Sequence, residues 1–327
     1  MRSLRTLIAS TVVALLAVAA LAGCAPPKTS GDSAPAAAKV RIGTLTTEDA
    51  LPLWVAERDG LFKKAGLDVA ITVFQSAQER DAALTAGAID GVMGDIIAVA
   101  ALRAGGVPVK ITTIMLGATP AEGRFGIVAA PGSKITTLEE LKGVPVGTSS
   151  GTIQEYVLDG LMGQVGIALD QVKKEEVKKV PVRFELLMTG KLQAAALPEP
   201  FLSLAEKQGA ALIADDTEGA NLSQTVLVFS EKYLGETAGA AAVGTLLGVW
   251  DEAAAIVNKD PGSFRTLLVE KARIPKPLES TYAVNTYPMH QLPTTEQVSD
   301  VLEWMKGAGL LTKPVTYADL TWKPAAK

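Results

Sequence analysis

From Lys39 onward the chain alternates short apolar runs with longer stretches in which apolar residues recur at three- and four-residue spacing. That alternation predicts strands interleaved with helices, an α/β fold with largely parallel strands. Val40 to Leu45, Asp68 to Phe74, Gly91 to Gly94 and Val109 to Met115 read as strands. Between them the pattern predicts a helix through Leu53-Trp54-Val55-Ala56, broken near Gly60 and ended at Gly66. Two more follow, Gln78 to Ala86 closed by Gly87 and Ile96 to Ala104 closed by Gly105-Gly106. Glycine suits such endings because it adopts the left-handed conformation of a helix C-cap without steric cost.

A second unit begins near Arg124. Strands are expected at Phe125 to Ala130, Val144 to Gly147, around Glu176 to Val180, and Ala194 to Leu197. Helices are expected at Ile153 to Val165, Phe184 to Met188 and Phe201 to Gln208. A strand at Thr225 to Phe229 carries the chain back, and Ala- and Leu-rich helices near 238–258, 264–272 and 296–306 complete the first unit. The expected organisation is two lobes, one of residues 39–122 plus 228–327 and one of residues 123–227. No sequence repeat is visible between them.

The first residues read as an address. Arg2 and Arg5 precede an uncharged apolar run from Leu7 to Ala22, and small residues close it, the layout of a secretory signal over residues 1–23. A membrane-spanning anchor is the competing reading, but the run is about the minimum spanning length and Ala-rich. Leu21-Ala22-Gly23-Cys24 resembles a bacterial lipobox, which implies lipid on Cys24, the one cysteine of the chain. The Pro-, Ala- and Ser-rich stretch up to residue 38 then reads as a disordered tether. The expected location is outside the cell, held by lipid to the membrane on its periplasmic or extracellular face.

Composition narrows the chemistry. With 31 Lys+Arg against 35 Asp+Glu there is no basic surplus, and nucleic acid is not an expected partner. The single histidine, His290, lies in the loop-like Tyr-Pro-Met-His-Gln-Leu-Pro and reads as a surface or structural residue. Neither a disulfide nor a Cys/His metal site can be assembled, and any nucleophilic triad would depend on His290 alone. A monomeric protein without catalysis, cofactor or metal is expected.

Four stretches carry a family resemblance. Leu51-Pro52-Leu53-Trp54-Val55-Ala56-Glu57-Arg58-Asp59-Gly60-Leu61-Phe62, continued by Lys63-Lys64-Ala65-Gly66-Leu67-Asp68-Val69, is similar to the opening helix and GLF-x-x-x-GL-x-V turn of type II solute-binding proteins of ABC importers. Ala86-Gly87-Ala88-Ile89-Asp90-Gly91 resembles their G-x-(I/L)-D step. Leu141 to Gly147, running into Thr148-Ser149-Ser150-Gly151-Thr152, resembles their second-lobe binding loop. Met188 to Ala195 echoes a G-x-x-D-A step with Gln193 in place of Asp. The branch resembled includes nitrate, sulfonate and taurine binders and binders of thiamine-pyrimidine precursors. The resemblance implies two α/β lobes joined by two crossover strands, a ligand closed between them, and a membrane permease as partner.

In open α/β sheets ligands sit outside the carboxyl ends of the strands. That rule selects Thr46-Thr47, Gln75-Ser76, Gly94-Asp95, Ser149-Ser150-Gly151-Thr152 and Glu199. The loop before Ile153 offers free backbone N–H groups and neutral hydroxyl donors at a helix start. Thr152 and Glu155 also have capping-box spacing, which would leave Ser149 and Ser150 free. Glu199 reads either as a cap or as an acceptor for a ligand amine, Asp95 as a cap more than a contact. Gln75 and Ser76 read as contacts or as a turn. Arg124 reads as an exposed hinge charge and Trp54 as core. The expected ligand is a small polar solute: a sulfonate or oxyanion, a zwitterion, or an amino-substituted ring. An enzyme of the same fold in cofactor biosynthesis and a ligand-sensing lipoprotein are the rival functions.

Overall fold

The computed structural model describes residues 37–219 and 221–324. The signal reading of residues 1–23, Cys24 and the linker up to Ala36 lie outside the described residues.

The first lobe opens with β1 (Ala38–Leu45), a 3-10 turn (Glu48–Ala50), α1 (Leu51–Arg58) and α2 (Leu61–Lys64). It continues through β2 (Leu67–Phe74), α3 (Ala77–Thr85), β3 (Gly91–Asp95), α4 (Ile96–Ala104) and β4 (Val109–Leu116). The second lobe comprises β5 (Phe125–Ala129), β6 (Val146–Thr148), α5 (Ile153–Gln164), β7 (Lys174–Glu176) and α6 (Val180–Met188). It ends with β8 (Ala194–Pro198), α7 (Phe201–Lys207) and β9 (Ala211–Asp215). The chain returns through β10 (Thr225–Ser230), α8 (Glu231–Gly235), α9 (Thr237–Lys259), α10 (Arg265–Lys271), α11 (Thr295–Gly307) and α12 (Tyr317–Leu320).

Several elements differ from expectation. The strand expected at Glu176 to Val180 is β7, earlier in the chain, and the helix begins at Val180 instead of Phe184. Pro181 explains the shift: its fixed φ and missing N–H suit the first turn of a helix. The edge strand β9 has no strong apolar alternation, and it forms by pairing antiparallel with β5.

The sheets run in the orders β2-β1-β3-β10-β4 and β7-β6-β8-β5-β9. In each sheet one strand opposes the other four: β10 in the first, β5 in the second. Each is the strand that arrives from the other lobe, so the two crossovers stitch both sheets. The sheets are therefore mixed α/β sheets, each with a parallel part and one reversed strand.

Superposed strand orders expose a repeat that the sequence hides. Arg80, Leu84, Gly87 and Ile89 run from α3 to β3 with the same spacing as Arg183, Leu187, Gly190 and Leu192 from α6 to β8. A Cβ on Gly43 of β1 would lie 2.6 Å from Ile89 Cδ1; on Gly147 of β6, 2.5 Å from Leu192 Cδ1. In both lobes an apolar side chain of the turn crosses the first strand where only glycine leaves room. Three identities within ten residues are too few to stand out in sequence.

Trp54 of α1, Trp250 of α9 and Phe229 of β10 lie buried together in one apolar core. Helix α9 is long and apolar enough to cross a membrane, but half of its most apolar window is buried and it packs on α1 and β1. A second core joins α4 of the first lobe to α5 of the second. There the Trp304 ring of α11 sits 5.2 Å from that of Tyr156, and its Nε1–H donates to Asp159 at 2.9 Å.

Candidate functional site

Two recesses occur where the lobes meet, and they share no lining residue. The first lies against the crossovers. It has a narrow inner part lined by Thr47, Glu48, Asp49, Arg124 and Glu199, and an outer part of about 380 Å³ reached by Ser203, Tyr282 and Asn285. The second, about 340 Å³, lies between α3, α4 and the start of α5, with Gln78, Asp95 and residues 150–152 in its wall.

Strand β1 ends at Leu45, and the chain turns through Glu48 and Asp49 before α1. Both carboxylates are buried, at 4% and 6% exposure. Tyr282 donates its phenol proton to Glu48 Oε2 at 2.5 Å, Tyr287 donates to Glu48 O at 2.8 Å, and Thr225 donates to Asp49 Oδ1 at 2.6 Å. Among the described residues no Lys or Arg nitrogen forms an ion pair with either. Burial, with Glu199 adding its charge, pushes the Glu48 carboxyl up to about 8.

Glu199 follows β8 and is 9% exposed. It accepts from Ser203 Oγ at 2.7 Å and from Arg124 Nη1 at 3.3 Å. Burial raises its pKa, and Ser203 and Arg124 oppose that rise. Arg124 is not the exposed hinge charge expected of it: its side chain is 23% exposed and pinned. Its Nε meets Asp215 at 2.6 Å and its Nη1 meets Glu206 at 2.7 Å, because β5 lies beside β9 and α7. Burial works against its charge, but Glu206 and Asp215 outweigh that and hold its pKa above the ordinary value.

At the other recess, Asp95 caps α4, accepting from the Ala98 N–H at 2.7 Å. Burial raises it to about 6 against the opposing charge of Arg80. Ser76 caps α3, accepting from the Glu79 N–H at 3.3 Å, and the Gln75 N–H donates to Glu79 Oε2 at 3.2 Å. The α5 start corrects two expectations. Thr152 makes no side-chain cap; its hydroxyl donates to Ser149 O at 2.6 Å. Glu155 instead accepts from the Gly151 N–H at 2.6 Å and from Lys174 at 2.8 Å, so β7 has taken the carboxylate a capping box would use. Nor are the two serines free. Ser150 donates through N and Oγ to Glu176 Oε2, at 2.8 and 2.7 Å, and Ser149 Oγ accepts from Gln78 Nε2 of the opposite lobe at 3.4 Å.

The structure thus divides the expected residues. Thr47 and Glu199 meet at the crossover recess; Asp95, Ser150, Gly151 and Thr152 line the other; Thr46, Gln75, Ser76 and Ser149 line neither. Glu48 and Asp49 escaped sequence reading, although they directly follow Thr47 in the loop that the strand-end rule selects. Tyr282 and Asn285 come from more than two hundred residues away and carry no signal. His290 is at the surface, its Nδ1 against Asp251.

The sequence profile described as NMT1/THI5 like matches residues 47–262. The chain belongs to the NMT1/THI5-like family. No curated protein sequence matches it. The fold is shared with the alkanesulfonate-binding protein SsuA of Xanthomonas axonopodis pv. citri bound to MOPS, at 20% identity over 87% of this chain and 98% of that one, TM-score 0.73. The periplasmic aliphatic sulphonate-binding protein SsuA of Escherichia coli is similar, at 20% identity over 88% and 93%, TM-score 0.73. So is the desulfurization enzyme DSZB, at 15% identity over 86% and 96%, TM-score 0.66. This is the generic periplasmic-binding-protein fold. It serves binders and an enzyme alike, so the site must decide between them.

Proposed function

We propose that this family member is the solute-binding lipoprotein of an ABC importer. It captures a small polar solute between a lobe of residues 39–122 plus 228–327 and one of residues 123–227, and delivers it to a membrane permease. The observation that carries the reading is the crossover recess, where Glu48 after β1 and Glu199 after β8 come from different lobes to line one cavity. Lobe closure on a ligand held by both walls is the motion such a geometry serves. The neighbouring SsuA proteins, named as sulfonate binders, support a binding role.

The DSZB likeness favours a second reading, an enzyme on this fold. Against it, the recess holds carboxylates, hydroxyls and an arginine already engaged by acids, and among the described residues neither Cys nor His lines it. Native mass spectrometry of the purified protein tests the first reading. A co-purified small molecule should be released on unfolding and recovered chemically unchanged after long incubation with refolded protein. Its conversion, lost in Glu199→Gln, would establish an enzyme. The anchor is tested separately: Cys24→Ser should move the protein from the membrane to the soluble fraction.

A further inference from the structure

Beyond being a place for a solute, the crossover recess has a definite polarity of charge and of hydrogen bonding. Glu48, Asp49 and Glu199 line it, and among the described residues Arg124 is the one basic residue in its wall. All three Arg124 nitrogens are occupied by carboxylates: Nε by Asp215 at 2.6 Å, Nη1 by Glu206 at 2.7 Å and Glu199 at 3.3 Å, Nη2 by Glu206 at 3.4 Å. Among the described residues no free cation remains there to meet an anionic ligand.

The hydroxyl protons are spent in the same way. Ser203 donates to Glu199 at 2.7 Å, Tyr282 to Glu48 at 2.5 Å and Thr217 to Asp215 at 2.6 Å. Even Thr47 turns its proton to Met93 Sδ, at 3.6 Å. What the wall offers is therefore mostly lone pairs. Asp49, only 6% exposed, accepts from Thr225 through Oδ1, and among the described residues no Lys or Arg pairs with it. A buried carboxylate without a counter-ion is costly unless something supplies one.

We infer that this recess takes a ligand whose head group is a cationic nitrogen bearing N–H bonds, an ammonium or a guanidinium, and not a sulfonate. The inference rests on the solute-binding reading and narrows it. A quaternary ammonium does not fit, since it has no N–H to donate and among the described residues Tyr282 is the sole aromatic of the outer recess. A guanidinium or ammonium placed between Glu48 and Glu199 would displace the Glu48 proton to solvent, pair with carboxylates from both lobes and so favour closure.

Matched probes test this: n-butylamine and agmatine against butane-1-sulfonate, with n-butanol as neutral control, at equal ionic strength on the full chain. At least one cationic probe should raise the unfolding temperature, and butane-1-sulfonate should not. Calorimetric affinity for that probe should fall about tenfold or more in both Glu48→Gln and Glu199→Gln. The two isosteric variants lie in different lobes, so a folding defect in one leaves the other to read. Stabilisation by the sulfonate would overturn the inference and leave the solute-binding reading standing. Cationic probes without effect, or an effect unchanged in both variants, would also overturn it. Chemical conversion of a bound cation would instead sink the solute-binding reading and keep the charge preference.

Discussion

In the first lobe β1 runs out into Glu48 and Asp49, whereas the corresponding β6 of the second lobe runs out into Ser149, Ser150, Gly151 and Thr152. After the third strand each lobe places a carboxylate that caps its own helix, Asp95 accepting from the Ala98 N–H and Glu199 from the Ser203 N–H, but the two line different recesses. The frames beneath are alike, with one strand order and the same Arg-Leu-Gly helix-to-strand turn. Close packing fixes the frame, because a glycine lying under a crossing side chain tolerates no substitution without movement of its neighbours. The strand ends face the cleft and are free of that constraint, so chemistry diverges there.

The buried arginines of the shared turn show how environment separates equivalent residues. Arg80 is 1% exposed and its Nε donates to Asp81 at 2.8 Å. Arg183 is fully buried; Nη1 reaches Val177 O at 3.1 Å, while Nε and Nη2 have no partner among the described residues. Burial accordingly pulls the Arg183 pKa down to about 10. Arg80→Met should destabilise the protein by about 3 kcal/mol, because it leaves acidic neighbours without their cation. Arg183→Met should change stability by no more than about 1 kcal/mol, since it removes a burial cost along with a weak contact. Denaturant unfolding of both variants checks this, and equal losses would break the distinction.

A pH series sharpens the contrast between acidic and neutral strand ends. A carboxyl whose folded pKa stands above its unfolded value favours the protonated fold. The stability that Glu48 contributes is thus present below about 4.5 and lost as pH rises towards about 8. Glu48→Gln should therefore be more stable than wild type at pH 8, by an amount on the order of 2 kcal/mol, with the gap closing by pH 4.5. Ser149→Ala should show no such pH-dependent gap. Chemical melts at pH 4.5, 6.5 and 8 measure it, and a gap that fails to vary with pH would remove Glu48 from the account.

Smaller effects distinguish the helix starts. Ser76→Ala removes a true cap in the first lobe and should cost about 1 kcal/mol. In the second lobe Glu155→Gln should cost about 1–2 kcal/mol, as it weakens bonds to Lys174 and the Gly151 N–H. Thr152→Ala should cost less than about 1 kcal/mol, having only its bonds to Ser149 O and Gln154 to lose. Thermal melts of the three variants give the order. A Thr152 loss larger than that of Glu155 would restore the capping box that the spacing suggested.

Much of this molecule is legible in its residues. Periodicity, glycine punctuation and one proline determine most strands and helices, since these depend on neighbours within a few positions. The strand-end rule reaches Thr47 and Glu199 for the same local reason. What only the tertiary structure decides is how charge is shared. Arg124 looks like a free cation until β5 lies beside β9 and α7, which bring up Asp215 and Glu206. Glu155 looks like a capping residue until β7 presents Lys174. Glu48 and Glu199, separated by some hundred and fifty positions, become neighbours when the crossovers close the lobes on one another. Electrostatic character depends on burial and on distant partners, and neither is written in the local order of residues.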